Sequence, residues 1–166
     1  MNSFLCITGA AGSLGKAMAV ECAHRGWNLF LTDICEERLD AFAAGLRAAY
    51  GIRVKTHACD MIDAGSRDRL FAYMEERGFR FFGLINVAGI DYEGPFLEKT
   101  REQVRSVLRL NIEGTLEMTH AVLSRRDAQK PFRLITVGSL ASFYPMPLKA
   151  TYAASKRFLL DFFTAL

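Results

Sequence analysis

Several kinds of chemistry lack a foothold in this 166-residue chain. Its four cysteines, Cys6, Cys22, Cys35 and Cys59, form no C-x-x-C pair and have no histidine at ligand spacing, so they read as structural thiols and no metal site is expected. His24, His57 and His120 are scattered and receive no role. No block of like charge occurs and the net charge is only +3, which leaves nucleic-acid binding without compositional support. Lys16 and Glu21 interrupt the apolar run near the start, so no membrane span is expected. No basic leader followed by an apolar stretch and cleavage site is visible, and a reducing cytoplasm is the expected location.

Repeats, low-complexity tracts and long linkers are missing too. What is present is a composition of 51% apolar and 23% charged residues, in a length that suits one soluble domain, 1–166, with a real core. Short apolar runs alternate with longer amphipathic segments. Strands are expected at 4–8, 27–33, 52–60, 81–89 and 132–138. Helices are expected at about 14–24, on the stripe of Leu39, Phe42, Ala43, Leu46 and Tyr50 that stops at Gly51, at about 64–77, and from a Thr100/Gln103 capping box to about 126. A last helix begins near Thr151, after an irregular loop with Pro145 and Pro147. Strict alternation predicts an α/β fold, a Rossmann-like doubly wound parallel sheet with helices on both faces. The apolar fourth and fifth strands are expected to be buried from both sides.

The turn between the first strand and first helix reads TGAAGSLG, residues 8–15. Gly9, Gly12, Ser13, Leu14 and Gly15 there would let the backbone approach a pyrophosphate at a helix N-terminus. Asp33 ends the second strand, where a carboxylate can accept from both ribose hydroxyls and repel a 2′-phosphate. No arginine or lysine immediately flanks it, so NAD is expected over NADP; the competing role for Asp33 is an N-cap for the helix beginning near Cys35. Asp60, with Met61 beside it, is placed to receive the adenine amino group or to cap a helix. Asn86, Ala88 and Gly89 end the fourth strand, where small residues permit close approach to the adenosine. Asn111 falls on the apolar stripe of its helix with Val104, Val107 and Leu108, a costly place for an unpartnered carboxamide.

Tyr152 and Lys156 stand one helical turn apart in YAASK, with Ser139 thirteen residues before the tyrosine. A cation held beside a phenol favours the phenolate and prepares it for proton exchange near neutral pH.

Together TGAAGSLG, Asp33, Asp60, NVAG (86–89), Asn111, Ser139 and YAASK resemble the short-chain dehydrogenase/reductase family, in order and spacing, over essentially the whole chain. NVAG and YAASK are similar to the single-domain branch. That branch usually shows TGxxxGxG, whereas Ser13 leaves this turn as TGxxGxxG, the spacing of the longer sugar-nucleotide-modifying branch. The resemblance implies that Tyr152 is the general acid/base and that Lys156 tunes it and binds the nicotinamide ribose. Ser139 would hold the substrate oxygen, and Asn111 a proton-relay water. It implies interconversion of an alcohol and a ketone or aldehyde by hydride transfer with a nicotinamide cofactor. An NAD-retaining epimerase or dehydratase and a non-catalytic dinucleotide-binding protein are the alternatives.

Family members continue past the equivalent of Leu166 with further strands and a substrate-covering segment. An excerpt is therefore expected, with C-terminal strands missing, an open fifth strand and poor activity alone. The last helix carries Lys156, Leu159 and Phe163 on one face and Ala154, Phe158, Phe162 and Ala165 on another. That pattern predicts a homodimer or homotetramer through this helix. Phe96, Phe143, Tyr144 and Met146 wall an apolar substrate pocket or belong to the core.

Overall fold

Alternation within the first strand divides the core into two layers. The computed structural model describes residues 3–166, so the first two positions of the 1–166 domain assignment lie outside it. In β1 (Ser3–Thr8), Phe4 and Cys6 face one layer and Leu5 and Ile7 the other. The sheet continues through β2 (Leu29–Asp33), β3 (Val54–Ala58), β4 (Arg80–Asn86) and β5 (Arg133–Thr136). All pairs are parallel and the order is β3-β2-β1-β4-β5. Helices α1 (Ser13–His24) and α2 (Glu36–Tyr50) cover Leu5, Ile7, Leu29 and Leu31 with Ala19, Leu39, Ala43 and Leu46. On the other face, Leu70 and Met74 of α3 (Ala64–Glu76) and Met118 and Val122 of α5 (Thr115–Ser124) cover Phe4, Cys6, Phe30 and Leu84. The order reverses at β1 and β4, so a crevice opens beyond their carboxyl ends, the usual ligand position in such sheets.

Local chemistry sets the boundaries. Gly51 ends α2 in the left-handed conformation, with φ 63°. The expected capping box is present: Gln103 N donates to Thr100 Oγ1 at 3.1 Å, and Thr100 N donates to Gln103 Oε1 at 2.9 Å. The helix it opens is not continuous. α4 (Arg101–Leu108) passes into a π-helical turn, Arg109–Gly114, before α5 begins. Such wide turns favour functional sites. A last helix, α6 (Ala150–Ala165), carries YAASK. Among the described residues no helix is long and apolar enough to cross a membrane.

Two strand expectations need correction. β4 stops at Asn86 rather than at 89, because Val87 N and Ala88 N donate to the Thr8 hydroxyl at 3.1 and 3.2 Å. β4 is buried as expected, but β5 is not enclosed on both sides. It forms the sheet edge, as expected of an open fifth strand, and Ile135 on it is 48% exposed.

Burial also sets thiol reactivity. It pushes Cys22 up to about 11 and raises Cys6 and Cys59, whereas Cys35 is half-buried; all four are unpaired. Native alkylation near neutral pH is therefore expected to modify Cys35 first, the others reacting only on unfolding. Peptide mass spectrometry checks the order.

Candidate active site

The glycine turn packs against the start of the segment after β4. Gly9 has φ 63°, and a Cβ on it would lie 2.9 Å from Ala88 N. A Cβ on Gly15 would lie 2.1 Å from Gly9 O, so only glycine lets α1 start this close to the turn. Ser13 is the first residue of α1 and does not need left-handed backbone, so it replaces the family's glycine without strain. No side chain caps α1, and Gly12, Ser13 and Leu14 are exposed, leaving its first-turn N–H groups open for an anion.

Beside the turn lies a cleft of about 420 Å³. Gly9, Gly12, Ser13, Leu14, Gly15, Asp33, Asp60, Met61, Ala88 and Gly89 all line it, with Val87 of the NVAG motif and with Thr32, Ile34, Ile90 and Leu110, which no sequence motif marks. Its lining carries two carboxylates and neither lysine nor arginine. Asp33 Oδ2 accepts from Ala11 N at 2.9 Å and so braces the glycine turn; the N-cap position of α2 belongs to Cys35. Asp60 accepts from Ile62 N at 2.9 Å, and α3 is capped by Asp63 instead. Asn86 stands apart from the cleft. It is buried, and its Nδ2 donates to Thr119 and Thr136 hydroxyls at 3.1 and 3.3 Å. An adenosine contact is not what its side chain is placed to make.

Gly89 joins the cleft to the catalytic candidates: a Cβ on it would lie 3.4 Å from Asn111 Oδ1 and 3.6 Å from Lys156 Nζ. Lys156 is 4% exposed, donates to Val137 O at 2.8 Å, and lies 5.8 Å from the Tyr152 ring centroid. Burial lowers its pKa from the ordinary 10.5. Asn111, in the π turn, clasps the backbone of Ile90. Its Oδ1 accepts from Ile90 N and its Nδ2 donates to Ile90 O, both at 2.9 Å, and Nδ2 also donates to Ser155 Oγ at 3.1 Å. Ser155 Oγ in turn donates to Tyr152 O at 2.7 Å. Asn111 thus ties the cleft wall to α6. Ser139 stands three residues after β5 and caps a short 3-10 turn, its Oγ accepting from Ala141 N at 3.1 Å.

Of the four residues expected to wall an apolar pocket or join the core, three do line a cavity. Phe143, Tyr144 and Met146 line a cavity of about 640 Å³ with Ala150, Ala153, Ala154 and Arg157 of α6. Those helical positions form a face separate from Tyr152, Lys156 and Leu159. Phe96 is 57% exposed and is not part of that lining.

Residues 3–166 match the family model described as short chain dehydrogenase. The very-long-chain 3-oxoacyl-CoA reductase of Pyrenophora tritici-repentis is 34% identical over 171 residues, covering 99% of this chain and 50% of its own length. The chain spans about half the length of the curated relatives it matches. A short-chain dehydrogenase from Sphingobium yanoikuyae, solved in complex with NADPH, superposes with TM-score 0.87 at 30% identity, over 100% of this chain and 64% of that one. The bulky-bulky ketone specific alcohol dehydrogenase from Comamonas testosteroni gives TM-score 0.88 at 25% identity, over 100% and 67%.

Proposed function

The chain belongs to the short-chain dehydrogenase family, and on that premise we propose that it interconverts an alcohol and a ketone or aldehyde with a nicotinamide cofactor. The observation that carries this reading is the buried Lys156 ammonium beside the Tyr152 ring, within a methyl's reach of the Gly89 cleft wall. Gly12, Ser13, Leu14 and Gly15 would cradle the pyrophosphate at the start of α1. Asp33 would hold the ribose, and Asp60 with Met61 the adenine end. When bound, the cofactor gives or takes the hydride.

The chain's own work is proton transfer and placement. Tyr152 passes a proton between its phenol and the substrate oxygen. Lys156 favours the phenolate by its charge. Ser139 keeps its hydroxyl proton for the substrate oxygen while Oγ accepts from Ala141 N. Asn111 holds Ile90 and Ser155 in register, and its Oδ1 faces the Gly89–Lys156 side, where a relay water would sit.

The test is turnover followed by nicotinamide absorbance, with ketones and 3-oxoacyl thioesters offered first because the relatives carry those names. Net oxidation of the reduced cofactor by the full-length protein, matched by alcohol product, is expected. Isomerised product without cofactor change would instead favour the epimerase reading.

NAD is the proposed cofactor, supported by Asp33 and by a cleft lining free of lysine and arginine. Asp33→Asn keeps an acceptor for Ala11 N but removes the charge. It is expected to raise NADP affinity relative to NAD about ten- to hundredfold, the worth of a charge-assisted hydrogen bond. Paired fluorescence titrations read the ratio; an unchanged ratio would take Asp33 out of cofactor choice.

Two further parts of the proposal concern setting. The unpaired cysteines support a reducing cytoplasm. The outward face of α6, with Ala154 and Phe158 exposed, supports a homodimer or homotetramer through this helix, and a monomer in light scattering would overturn it.

A further inference from the structure

Three residues before Tyr152, Lys149 occupies the N-cap position of α6. Its ammonium pairs with Asp91 Oδ2 at 2.5 Å and Glu93 Oε2 at 2.8 Å, and it lies 5.9 Å from the Tyr152 ring centroid. Both carboxylates belong to the segment after β4, just past Ile90, which Asn111 clasps. A second lysine fastens the same two segments. Lys99 Nζ donates to Gly94 O at 2.6 Å and to Leu148 O at 3.3 Å, while Gly94 N donates to Leu148 O at 2.9 Å. The loop after β4 and the loop after β5 are therefore joined at 91–94 and 148–149, directly before the catalytic turn of α6.

Backbone geometry agrees that this junction is held. Leu148, at φ 66°, is the one non-glycine among the described residues in the left-handed region. A leucine rarely adopts that conformation, and it persists where neighbours over-determine it. Nor is the ion pair an ordinary surface contact. The Lys149 and Asp91 side chains are only 26% and 21% exposed, and one ammonium serves two carboxylates.

We propose that Lys149 is a positioning residue for Tyr152. Anchored by Asp91 and Glu93, it fixes the start of α6 and holds its ammonium over the phenol ring alongside Lys156. This rests on the reading of Tyr152 as the proton-transfer residue. The hydrogen bonds to Asp91 and then Glu93 raise the Lys149 pKa, so the ammonium keeps its charge throughout the working range.

The test combines kinetics with carbon NMR of ring-labelled tyrosine in the full chain, the Tyr152 signal being identified by its loss in Tyr152→Phe. Lys149→Met keeps the stem and removes the ammonium. Its Tyr152 signal is expected to shift, and kcat to fall about ten- to hundredfold, the scale of a misplaced reacting group. KM for the cofactor is expected to stay the same, because no residue of the glycine turn touches the clasp. Lys149→Arg, which can still reach both carboxylates, should restore signal and rate. If Lys149→Met does not fold by circular dichroism, Asp91→Asn carries the test, with a smaller shift in the same direction. An unmoved Tyr152 signal in a folded variant overturns the proposal, as does a loss that arginine fails to rescue. If the full-length protein turns over nothing with either cofactor, the functional reading falls, and the tyrosine signal still decides whether Lys149 positions the ring.

Discussion

Tyr152→Phe is expected to lower kcat about a thousandfold, within the range that positioned acid–base groups contribute, and to leave folding and cofactor affinity almost untouched. The phenol oxygen hydrogen-bonds to no described residue, so its removal strands no partner. The ring remains beside the ammonium groups of Lys156 and Lys149, at 5.8 and 5.9 Å from its centroid. Stability should therefore stay within about 0.5 kcal/mol of the parent. On the proposed function, what is lost is the proton that moves when the substrate oxygen changes charge. Unchanged turnover would remove Tyr152 from the chemistry. An equal loss of cofactor affinity would make it a binding residue, and a full-length parent that binds cofactor without turnover would favour the non-catalytic alternative.

The same pair sets a sign for pH. Burial lowers the Lys156 pKa, so its ammonium is present at low pH and lost as pH rises, sooner than an exposed lysine would lose it. Turnover is expected to decline on the alkaline side below 10.5, the ordinary lysine value. A pH–kcat profile checks this, and a plateau extending past that value would mean that Lys156 does not need its charge.

Features written in local pattern are legible in the sequence itself. Alternating periodicity locates the strands and helices. The glycine turn, Asp33 and YAASK lie at the carboxyl ends of strands or on one helical turn, so the cleft lining follows from topology. Features made by distant partners are not legible. Thr8 meets Val87 and Ala88 at separations of 79 and 80 residues, and Lys149 meets Asp91 across 58. The cost of burying Asn111 can be read from its helical stripe, but its partners, the Ile90 backbone and Ser155, come from two other segments. Phe143, Tyr144 and Met146 do wall an apolar cavity, but nearness in sequence to Tyr152 does not say which face of α6 that cavity lies against. Asn86 shares a motif with Ala88 and Gly89, yet the strand pleat turns its side chain towards Thr119 and Thr136.

Arg67→Ala is expected to cost about 3 kcal/mol of folding stability, the lower end for breaking a buried ion pair. Sequence pattern alone sends a helical arginine to solvent. Here it shares the buried stripe of α3 with Leu70 and Met74, and its side chain is fully covered. The guanidinium fork spans three acceptors. Nε donates to Glu117 Oε2 at 2.6 Å, one terminal nitrogen to Met61 O at 2.7 Å, and the other to Glu113. Burial alone would lower the Arg67 pKa, but the carboxylates of Glu117 and Glu113 outweigh it and raise it. Truncation leaves the Met61 carbonyl without its donor and opens a cavity. The carboxylates are 47% and 44% exposed and can return to water, which holds the cost near the lower end. Lysine keeps the charge but cannot reach all three acceptors, so Arg67→Lys should fall between parent and alanine. In urea the alanine variant's midpoint is expected to drop about 1.5 M with m unchanged, for a slope of about 2 kcal/mol/M. Because Met61 lines the cleft and Glu113 sits in the same π turn as Asn111, cofactor affinity should weaken even where Arg67→Ala remains folded. A loss below about 0.5 kcal/mol would instead rank this pair with surface contacts.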